Sequence, residues 1–351
     1  MKSKLACIFG VTGQDGAYLC RSLIKNRYNV VGLLDKKRQS DLFRLDHLGI
    51  KSSLRLHTID CLCPASIDKL FRDFKFTEVY NLAGQSNVSI SWDNPDETYS
   101  INTLLPHLIL ESIKTRSNCT KFFQASSSEI FGECSDQTIT EISPFKPNTP
   151  YGVSKLIAHE ITRYYRQKHN LFACNGILFN HESPLRGSQF VSKKIVRKLV
   201  EVHLGLTPYL EIGNLNSKRD WSSAEDFVEG FRSLMSARQP TDVIFATGRH
   251  TTVRELINIA ADHLNMSILW RGTGSNEIGL DSKTSRVIVK VNEQYFRPEA
   301  PQKSFVSTRK AMKLLGWQST TDLGDLIKRM IEHELKELEM KKTHQTGKRL
   351  L

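Results

Sequence analysis

Short apolar runs alternate with longer amphipathic stretches through the first half of the chain. The runs predict buried strands at residues 5–9, 29–34, 54–60, 78–82, 121–125 and 171–179. The stretches between them have helical spacing, above all at residues 64–71 and 98–114. Alternation of strand and helix indicates a parallel sheet with helices on both faces. We therefore predict an α/β fold of the Rossmann type, a doubly wound parallel sheet.

The pattern is less regular after about residue 180. Further helices are predicted at residues 191–205, 224–236, 252–264 and 323–340, and an extended segment at 286–291. Residues 218–221 are predicted to form a loop and residues 296–299 a turn. We expect a smaller C-terminal α/β domain at residues 181–340, with some strands and helices interleaved between it and the domain at residues 1–180. Residues 341–351 are expected to be a basic tail.

The composition excludes several classes of protein. The chain has 351 residues, of which 39% are hydrophobic and 25% are charged, as in ordinary soluble globular proteins. No apolar run approaches the roughly 18 residues that a membrane span needs. The net charge is +12, but the basic residues are spread along the chain, so we expect no nucleic-acid partner. Seven scattered cysteines without metal-like spacing predict reduced thiols, no metal site and a cytoplasmic location.

A glycine-rich turn follows the first predicted strand and precedes a helix. Its glycines have the spacing G-x-x-G-x-x-G. Such a turn lets the backbone approach a pyrophosphate, which then lies at the helix N-terminus. The turn predicts a dinucleotide cofactor held by Gly10, Thr12, Gly13, Gln14, Asp15 and Gly16.

An acidic residue, Asp35, ends the second predicted strand. A carboxylate about 20 positions after the glycine turn can accept from both ribose hydroxyls of NAD, and it would repel the 2′-phosphate of NADP. The basic residues that follow, Lys36, Lys37 and Arg38, could instead hold that phosphate. The sequence favours NAD and leaves NADP open.

Two further strand ends are predicted to contact the cofactor. Asp60 and Cys61 end the third strand, where they would face the adenine. Small residues follow the fourth strand, and they would let the nicotinamide half pass close to the backbone. The residues assigned there are Leu82, Ala83, Gln85 and Ser86.

Four chemically active side chains lie on two other segments. Ser127 and Glu129 follow the strand at residues 121–125, and Tyr151 and Lys155 are four residues apart, on one face of a helix. A nearby ammonium favours the phenolate, so a tyrosine with a reference pKa of about 10 can act as a base nearer neutrality. We predict these four residues as the catalytic set.

Taken together, these motifs resemble the extended short-chain dehydrogenase/reductase family of nucleotide-sugar enzymes, and within it the 4,6-dehydratases. The similarity covers Gly10 to about Trp317. It is carried, in the family's order, by G-V-T-G-Q-D-G, Y-N-L-A-G-Q-S, Q-A-S-S-S-E, P-Y-G-V-S-K, N-G-I-L-F-N-H-E-S-P-L-R-G and K-R-D-W. The N-H-E-S-P segment and K-R-D-W are the most specific to the dehydratases.

The resemblance implies a hydro-lyase that converts GDP-mannose to a 4-keto-6-deoxy sugar with a tightly bound, recycled NAD or NADP. Tyr151 would take the proton of the sugar 4-hydroxyl, supported by Lys155. Ser127 would hydrogen-bond the 4-oxygen, and Glu129 would remove the C5 proton. The resemblance also implies a homodimer or homotetramer.

Binding residues carry over from the same resemblance, which implies that residues 1–180 mainly bind the dinucleotide and residues 181–340 mainly bind the nucleotide sugar. His181 and Arg186 match cofactor contacts, although His181 could also be a core histidine. The GDP-sugar would be held by Ser86, Ser127, Glu129, Asn180, Lys194, Arg219, Arg297 and Glu299. Surface ion pairs are the alternative for Arg219 and Arg297.

Three departures from the family pattern leave the sugar open. Asp35 stands where the family, which prefers NADP, usually has arginine. Ala83-Gly84 reverses the usual order, and Leu185 replaces an arginine beside Arg186. They suggest a divergent member, with a GDP-heptose or another hexose as alternative substrates. An epimerase or 4-ketoreductase of the same family is the rival activity. A non-enzymatic dinucleotide sensor is disfavoured because all the catalytic residues are present.

Overall fold

The computed structural model describes residues 4–132, 138–296 and 305–347. The chain divides into two compact units. The first contains Met1–His181, Ala224–Gly248 and Ser304–Ser319, and the second contains Glu182–Ser223, Arg249–Lys303 and Thr320–Leu351. The chain therefore returns to the first unit twice after residue 181. Which ligand each part of the chain holds stays a prediction.

The strands in the described residues are β1 (Leu5–Phe9), β2 (Asn29–Asp35), β3 (Arg55–Ile59), β4 (Glu78–Asn81), β5 (Lys121–Ser127), β6 (Ala173–Leu178), β7 (Asn180–Glu182), β8 (Leu210–Ile212), β9 (Lys218–Arg219), β10 (Trp221–Ser223), β11 (Asp242–Phe245), β12 (Thr251–Thr252), β13 (Ile268–Arg271), β14 (Ile278–Asp281) and β15 (Val287–Val291). The helices are α1 (Gln14–Lys25), α2 (Phe43–His47), α3 (Pro64–Asp73), α4 (Val88–Asp93), α5 (Pro95–Tyr99), α6 (Leu105–Arg116), α7 (Pro150–His169), α8 (Val191–His203), α9 (Ala224–Met235), α10 (Val253–His263), α11 (Arg309–Leu315) and α12 (Leu323–Gly347). Short 3-10 turns occur at Lys51–Ser53, Ser128–Ile130, Gly274–Asn276 and Glu293–Tyr295.

The first unit is built on a seven-stranded sheet in the order β11-β6-β5-β4-β1-β2-β3. Every neighbouring pair in it is parallel. Ala6, Cys7, Ile8 and Phe9 of β1 are all fully buried, which is typical of a strand with helices on both faces. The strand order reverses beside β1, so the crevice between the ends of β1 and β4 is where an open α/β sheet binds its ligand. The prediction of a doubly wound parallel sheet is confirmed.

The second unit has a mixed sheet. Its order is β13-β14-β15-β8, with antiparallel pairs except for the parallel pair of β15 and β8. Its core packs apolar side chains of α8, α10 and α12 against this sheet, among them Leu199, Leu256, Val289 and Met330. The unit combines helices with a sheet, as the predicted smaller α/β domain does.

Several local predictions are corrected by the structure. Residues 218–221 were expected to form a loop, but Lys218–Arg219 is β9 and pairs with β12, while Trp221 begins β10. The helix expected at residues 98–114 is interrupted by a π turn at Ser100–Leu104. The last helix continues past residue 340, where it was expected to end, to Gly347. These corrections involve very short elements or helix ends, where the periodic signal is weakest.

Two absences apply to the described part of the chain. None of its helices combines the length and the apolarity that crossing a membrane would require. Its six cysteines, Cys7, Cys20, Cys61, Cys63, Cys119 and Cys174, are all free thiols, as expected. The seventh, Cys134, lies outside the described residues.

Candidate active site

The glycine turn between β1 and α1 is packed so closely that side chains cannot replace Gly10 or Gly16. Gly10 has φ +80°, and a Cβ there would lie 2.7 Å from backbone atoms of Leu82 and Ala83. A Cβ on Gly16 would lie 2.2 Å from the carbonyl oxygen of Gly10. The turn therefore brings the start of α1 directly against the end of β1. A helix start built this way presents backbone N–H groups that favour an anion such as a pyrophosphate.

The turn is held by contacts that the sequence alone did not reveal. Arg44 of α2 donates from Nη1 to the carbonyl oxygen of Thr12 at 3.1 Å. Gly13 donates its N–H to the carbonyl oxygen of Gly10 at 3.0 Å. Arg44 lies 32 residues from Thr12 in the sequence, and no local motif marks it.

Asp15 and His181 are far apart in sequence and close in the structure. The Nε2 atom of His181 lies 2.8 Å from Oδ2 of Asp15, and its Nδ1 lies 2.7 Å from the carbonyl oxygen of Phe179. Gln14 donates from Nε2 to the carbonyl oxygen of His181 at 3.1 Å. The structure therefore brings together three predicted cofactor residues, Gln14, Asp15 and His181. Their contact with a cofactor stays a prediction.

Asp35 lies at the end of β2, and its carboxylate is already engaged within the chain. It accepts the backbone N–H of Lys37 at 3.2 Å, and Nε of Arg38 lies 3.9 Å away. The same Arg38 pairs with Glu97. The arginine of the basic run is therefore held between two carboxylates, Asp35 and Glu97.

The two lysines of the basic run lie beside Asp60 at the end of β3. The Nζ atoms of Lys36 and Lys37 are 3.6 and 3.1 Å from its Oδ2. The hydrogen bond from Lys37 lowers the pKa of Asp60 below its usual value. The neighbouring Cys61 is buried, and burial raises the pKa of its thiol to about 12. Cys61 is therefore a neutral, packed thiol at the predicted adenine end.

The loop after β4 carries the predicted contacts Leu82, Ala83, Gln85 and Ser86. Asn102, buried in the π turn, holds this loop: its Oδ1 accepts the N–H of Gln85 at 3.0 Å, and its Nδ2 donates to the Gln85 carbonyl at 3.1 Å. The same Nδ2 lies 2.9 Å from Oγ of Ser154 in α7. A Cβ on Gly84 would lie 2.6 Å from Oδ1 of Asn102, so only glycine fits there. Sequence reasoning missed Asn102, although π turns often occur at functional sites.

Ser127 is the last residue of β5 and is buried. Its Oγ accepts the backbone N–H of Glu129 at 3.2 Å and so caps the 3-10 turn Ser128–Ile130. This bond uses a lone pair of the oxygen, so the hydroxyl proton remains able to donate. Glu129, in the same turn, is half-buried.

The helix α7 begins immediately before the Tyr–Lys pair. Thr149 is its N-cap and accepts the N–H of Gly152 at 2.9 Å, and Pro150 occupies the first helical position, where its missing N–H costs nothing. Tyr151 and Lys155 are both buried. The Nζ atom of Lys155 lies 5.9 Å from the centre of the Tyr151 ring. The predicted pairing of tyrosine and lysine on one helix face is present in the structure.

Two close contacts seat α7 on the segment that carries Ser127 and Glu129. Lys155 donates from Nζ to the carbonyl oxygen of Ala125 in β5 at 2.8 Å. A Cβ on Gly152 would lie 2.7 Å from the carbonyl oxygen of Glu129, so this glycine permits close packing. The four predicted catalytic residues therefore lie on two segments in direct contact.

Burial sets the charge of Lys155. It lowers the pKa of the ammonium to about 8, and the charge of Asp15 opposes that shift. An ammonium with this pKa is charged at neutral pH and loses its charge in mildly alkaline solution. Lys155 can therefore supply a positive charge beside Tyr151 near neutrality.

The predicted GDP-sugar residues fall in several places. Asn180 belongs to the first unit, at the start of β7. In the second unit, Nζ of Lys194 lies 4.0 Å from the centre of the Tyr295 ring, and burial lowers its pKa. Arg219 of β9 donates to the carbonyl oxygen of Lys218 at 2.7 Å. Arg297 and Glu299 lie outside the described residues.

Arg186, predicted to contact the cofactor, is also in the second unit. Its Nε lies 3.0 Å from Oε2 of the buried Glu182, and its guanidinium stacks 3.6 Å from the centre of the Phe190 ring. These contacts fix its position within that unit. Its role toward a cofactor stays a prediction.

Solved structures of known proteins share this fold. UDP-glucuronic acid 4-epimerase from Bacillus cereus, in complex with UDP-glucuronic acid and NAD, matches with a TM-score of 0.78 at 20% identity, covering 95% of this chain and 99% of the epimerase. RMD from Pseudomonas aeruginosa, complexed with NADPH, matches with a TM-score of 0.77 at 20% identity, covering 95% of this chain and all of that one (100%).

The sequence relationship is closer. A family model described as GDP-mannose 4,6 dehydratase matches residues 7–330. The GDP-mannose 4,6 dehydratase of Drosophila melanogaster is 36% identical over 342 residues, covering 95% of this chain and 87% of the fly protein. The family-model match spans the glycine turn, β5 and α7. The chain therefore belongs to the GDP-mannose 4,6-dehydratase family.

Proposed function

We propose that the chain is a nucleotide-sugar 4,6-dehydratase that converts GDP-mannose to GDP-4-keto-6-deoxymannose. Family membership supports the activity. The observation that carries it in the structure is the contact between α7 and the end of β5, made by the bond from Lys155 to the Ala125 carbonyl and by the packing of Gly152 on Glu129. It joins a Tyr–Lys pair to a hydroxyl and a carboxylate, and the reaction needs all of them.

The residues present fit a nicotinamide dinucleotide. The turn at Gly10 and Gly16 leaves no room for a Cβ, and α1 begins directly after it, as a pyrophosphate cradle requires. The epimerase and RMD matches, whose structures contain NAD and NADPH, also support this class of cofactor. When bound, the cofactor would supply the acceptor for the C4 hydride and the donor of that hydride to C6, so it would not be consumed.

The Tyr151 phenolate takes the proton from the sugar 4-hydroxyl. The Lys155 ammonium favours that phenolate, because a positive charge nearby stabilises the negative one. Ser127 donates its hydroxyl proton to the 4-oxygen as that oxygen becomes a ketone. Tyr151 and Ser127 thus both act on the 4-oxygen in this proposal.

Glu129 is the general base at C5. A ketone at C4 makes the C5 proton acidic, and the carboxylate removes it. The same carboxyl can then donate that proton to the leaving 6-hydroxyl, so that water departs. C5 takes up a proton from solvent when C6 receives the hydride. Simple epimerases and reductases need no base for C5, which makes Glu129 the residue that distinguishes the proposed reaction.

Recognition of the GDP group is proposed for Asn180, Lys194, Arg219, Arg297 and Glu299. Lys194 and Arg219 supply positive charge, which a diphosphate requires. The family resemblance further supports a cytoplasmic location and a homodimer or homotetramer, and light scattering of the purified protein measures the latter.

We propose that the cofactor is NAD rather than NADP. Asp35 at the end of β2 can accept from two ribose hydroxyls, and its negative charge repels a 2′-phosphate. The basic run would attract that phosphate only weakly, because its charges already have carboxylate partners. Lys36 and Lys37 pair with Asp60, and Arg38 pairs with Glu97. Side chains as exposed as these are also screened by water and salt.

Product analysis tests the proposed function. Purified protein is incubated with GDP-mannose and a catalytic amount of NAD, and the nucleotide sugar is analysed by mass spectrometry. We expect a product lighter by one water with no net accumulation of NADH. Glu129→Gln should lower turnover by about 10²-fold or more. The matched control is Glu160→Gln on α7, which changes an exposed carboxylate paired with Arg163 and should leave turnover unchanged. A new nucleotide sugar with the mass of GDP-mannose, separated from it by chromatography, would identify an epimerase instead.

A further inference from the structure

The buried face of α7 carries two further polar residues beyond Lys155, His159 and Thr162. His159 and Ser126 are 1% and 2% exposed, and Nδ1 of His159 lies 3.0 Å from Oγ of Ser126 in β5. None of the catalytic steps above uses either residue. A hydrogen-bonded pair buried this deeply between a helix and a strand fixes their relative position.

The pair lies directly beside the catalytic contacts. His159 is one helical turn after Lys155, and Ser126 is between Ala125, whose carbonyl accepts from Lys155, and Ser127. Two successive turns of α7 therefore hydrogen-bond to two successive residues of β5, Ala125 and Ser126. A single contact would allow α7 to rotate or slide relative to β5, whereas two contacts prevent both motions.

Asp242 of β11 lies on the other side of the imidazole. Oδ2 of Asp242 lies 3.6 Å from Nε2 of His159, and Asp242 also accepts both guanidinium bonds of Arg166 at 2.7 Å. Asn175 of β6 donates to Asp242 at 2.9 Å and to the His159 carbonyl at 3.2 Å. A carboxylate cannot donate, so Asp242 favours the ring tautomer with its proton on Nε2, in which Nδ1 accepts the hydroxyl of Ser126. Burial lowers the pKa of His159, which keeps the ring neutral, as this arrangement requires.

We propose that His159 and Ser126 are positioning residues for the catalytic Lys155 and Ser127, a role that rests on the proposed dehydratase function. Their bond holds the end of β5 in register with α7, so the Ala125 carbonyl and the Ser127 hydroxyl stay where Lys155 and the sugar need them. A displacement of about 1 Å at a reacting group can lower the rate by about 10²-fold. A purely structural bond would instead contribute to stability and leave kcat of the folded enzyme unchanged.

The test compares five variants with the wild type. Ser126→Ala and His159→Leu remove the bond from either end, and the double variant removes both partners. His159→Gln keeps a polar group that can bond Ser126. The matched control is Thr162→Val, because Thr162 is fully buried on the same helix and its hydroxyl bonds only the Ala158 carbonyl of α7, at 2.9 Å, among the described contacts.

Kinetics give the first readout. We expect each single removal to lower kcat about tenfold with KM changed less than about threefold, and the double variant to be no slower than the slower single variant. His159→Gln should recover much of the loss, and Thr162→Val should keep the wild-type kcat even where its melting temperature falls. Wild-type kcat in folded Ser126→Ala, or two losses that multiply in the double variant, would overturn the proposal. Ser126→Ala removes one oxygen, so it decides the matter even where His159→Leu does not fold.

A second readout does not depend on turnover. The pH dependence of Lys155 acetylation by acetic anhydride, followed by peptide mass spectrometry, reports the pKa of that lysine. Loss of the bond should admit water beside Lys155 and raise its pKa in Ser126→Ala, but not in Thr162→Val. If the wild type forms no dehydrated product, the proposed function fails. An unchanged pKa of Lys155 in Ser126→Ala would contradict the positioning role, whether or not the proposed function holds.

Discussion

Each unit of the protein buries a lysine, and the two lysines are held in different ways. Lys155 and Lys193 are both 6% exposed. Lys193 of the second unit pairs with the buried Glu334 of α12 and donates to the Pro184 carbonyl at 2.7 Å. Lys155 of the first unit donates to a neutral carbonyl, that of Ala125, at 2.8 Å.

We interpret the difference as that between a structural charge at Lys193 and a functional charge at Lys155. A buried charge with a direct carboxylate partner is compensated, and removing that partner leaves an uncompensated charge. A buried ammonium bonded to a carbonyl is compensated less, so the folded protein holds it at a cost in stability. Burial lowers the pKa of both lysines, but Glu334 opposes the shift at Lys193 directly. We infer that Lys155 is kept in this position for its charge near Tyr151.

The largest effect is expected from Lys155→Met. The substitution removes the ammonium that favours the Tyr151 phenolate, so kcat/KM should fall by about 10²–10⁴-fold. The free energy of unfolding should stay the same or rise, because a costly buried charge is gone. Kinetics and urea unfolding of the same preparation check both parts. A loss of stability that parallels the loss of activity would show that Lys155, like Lys193, has a structural role.

Lys193→Met should show the reverse pattern. It leaves the buried carboxylate of Glu334 without its partner, so the free energy of unfolding should fall by about 3–5 kcal/mol. The kcat of the molecules that remain folded should stay near the wild-type value. The double variant Lys193→Met with Glu334→Leu should recover most of the stability, because both charges are then absent. Failure of this rescue would mean that the pair is not what stabilises the contact between α8 and α12.

The pH dependence of activity and stability should distinguish Lys155 as well. The folded pKa of Lys155, about 8, is below the ordinary lysine value of 10.5, so between these values the unfolded chain binds more protons. Stability should therefore rise with pH from about 8 to about 10 in the wild type relative to Lys155→Met. The lysine loses its charge in the same range, so kcat/KM should fall above about pH 8. A wild-type curve parallel to that of Lys155→Met would contradict the lowered pKa.

A smaller effect is expected from Asp35→Arg. The change exchanges an acceptor for the ribose hydroxyls with a cation that attracts a 2′-phosphate. The ratio of NAD to NADP affinity should therefore move toward NADP by one to two decades, the equivalent of roughly 1.5–3 kcal/mol. Titration of nucleotide-free protein with each cofactor measures it. An unchanged ratio would show that the Asp35 carboxylate does not face the ribose.

The smallest effect is expected from the exposed lysines. The side chains of Lys36 and Lys37 are 56% and 62% exposed although both pair with Asp60. Exposed pairs contribute about 0–1 kcal/mol. Lys36→Met and Lys37→Met should therefore change NAD affinity by less than about fivefold. A larger loss in either variant would mean that the basic run contacts the cofactor.

The sequence predicted those parts of the molecule whose signal is local. The first two parallel strands, β1 and β2, are mainly apolar runs, and the glycine turn, the β5 segment and the Tyr–Lys pair each lie within a few residues. Contacts between distant residues left no such signal. Asn102 is 17 residues from Gln85 and 52 from Ser154, and Asp242 is 83 residues from His159.

In the second unit, very short strands also left no signal in the sequence. Strands such as β9 and β12 are two residues long, too short for an alternating pattern to register. The pairing of Lys218–Arg219 with Thr251–Thr252 depends on how α10 and its capping residue Thr252 are placed. The sequence segment K-R-D-W was therefore recognised as a family motif and wrongly expected to be a loop.

Turnover of GDP-mannose in D2O tests the central claim most directly. If Glu129 removes the C5 proton and water leaves from C6, the product loses one water and gains one solvent deuterium at C5. The hydride that reaches C6 comes from C4 of the same sugar, so C6 gains no deuterium. Mass spectrometry and NMR of the product at early times should show this pattern, and Glu129→Gln should not form it at a comparable rate. A nucleotide sugar of unchanged composition, or a dehydrated product without deuterium at C5, would contradict the account.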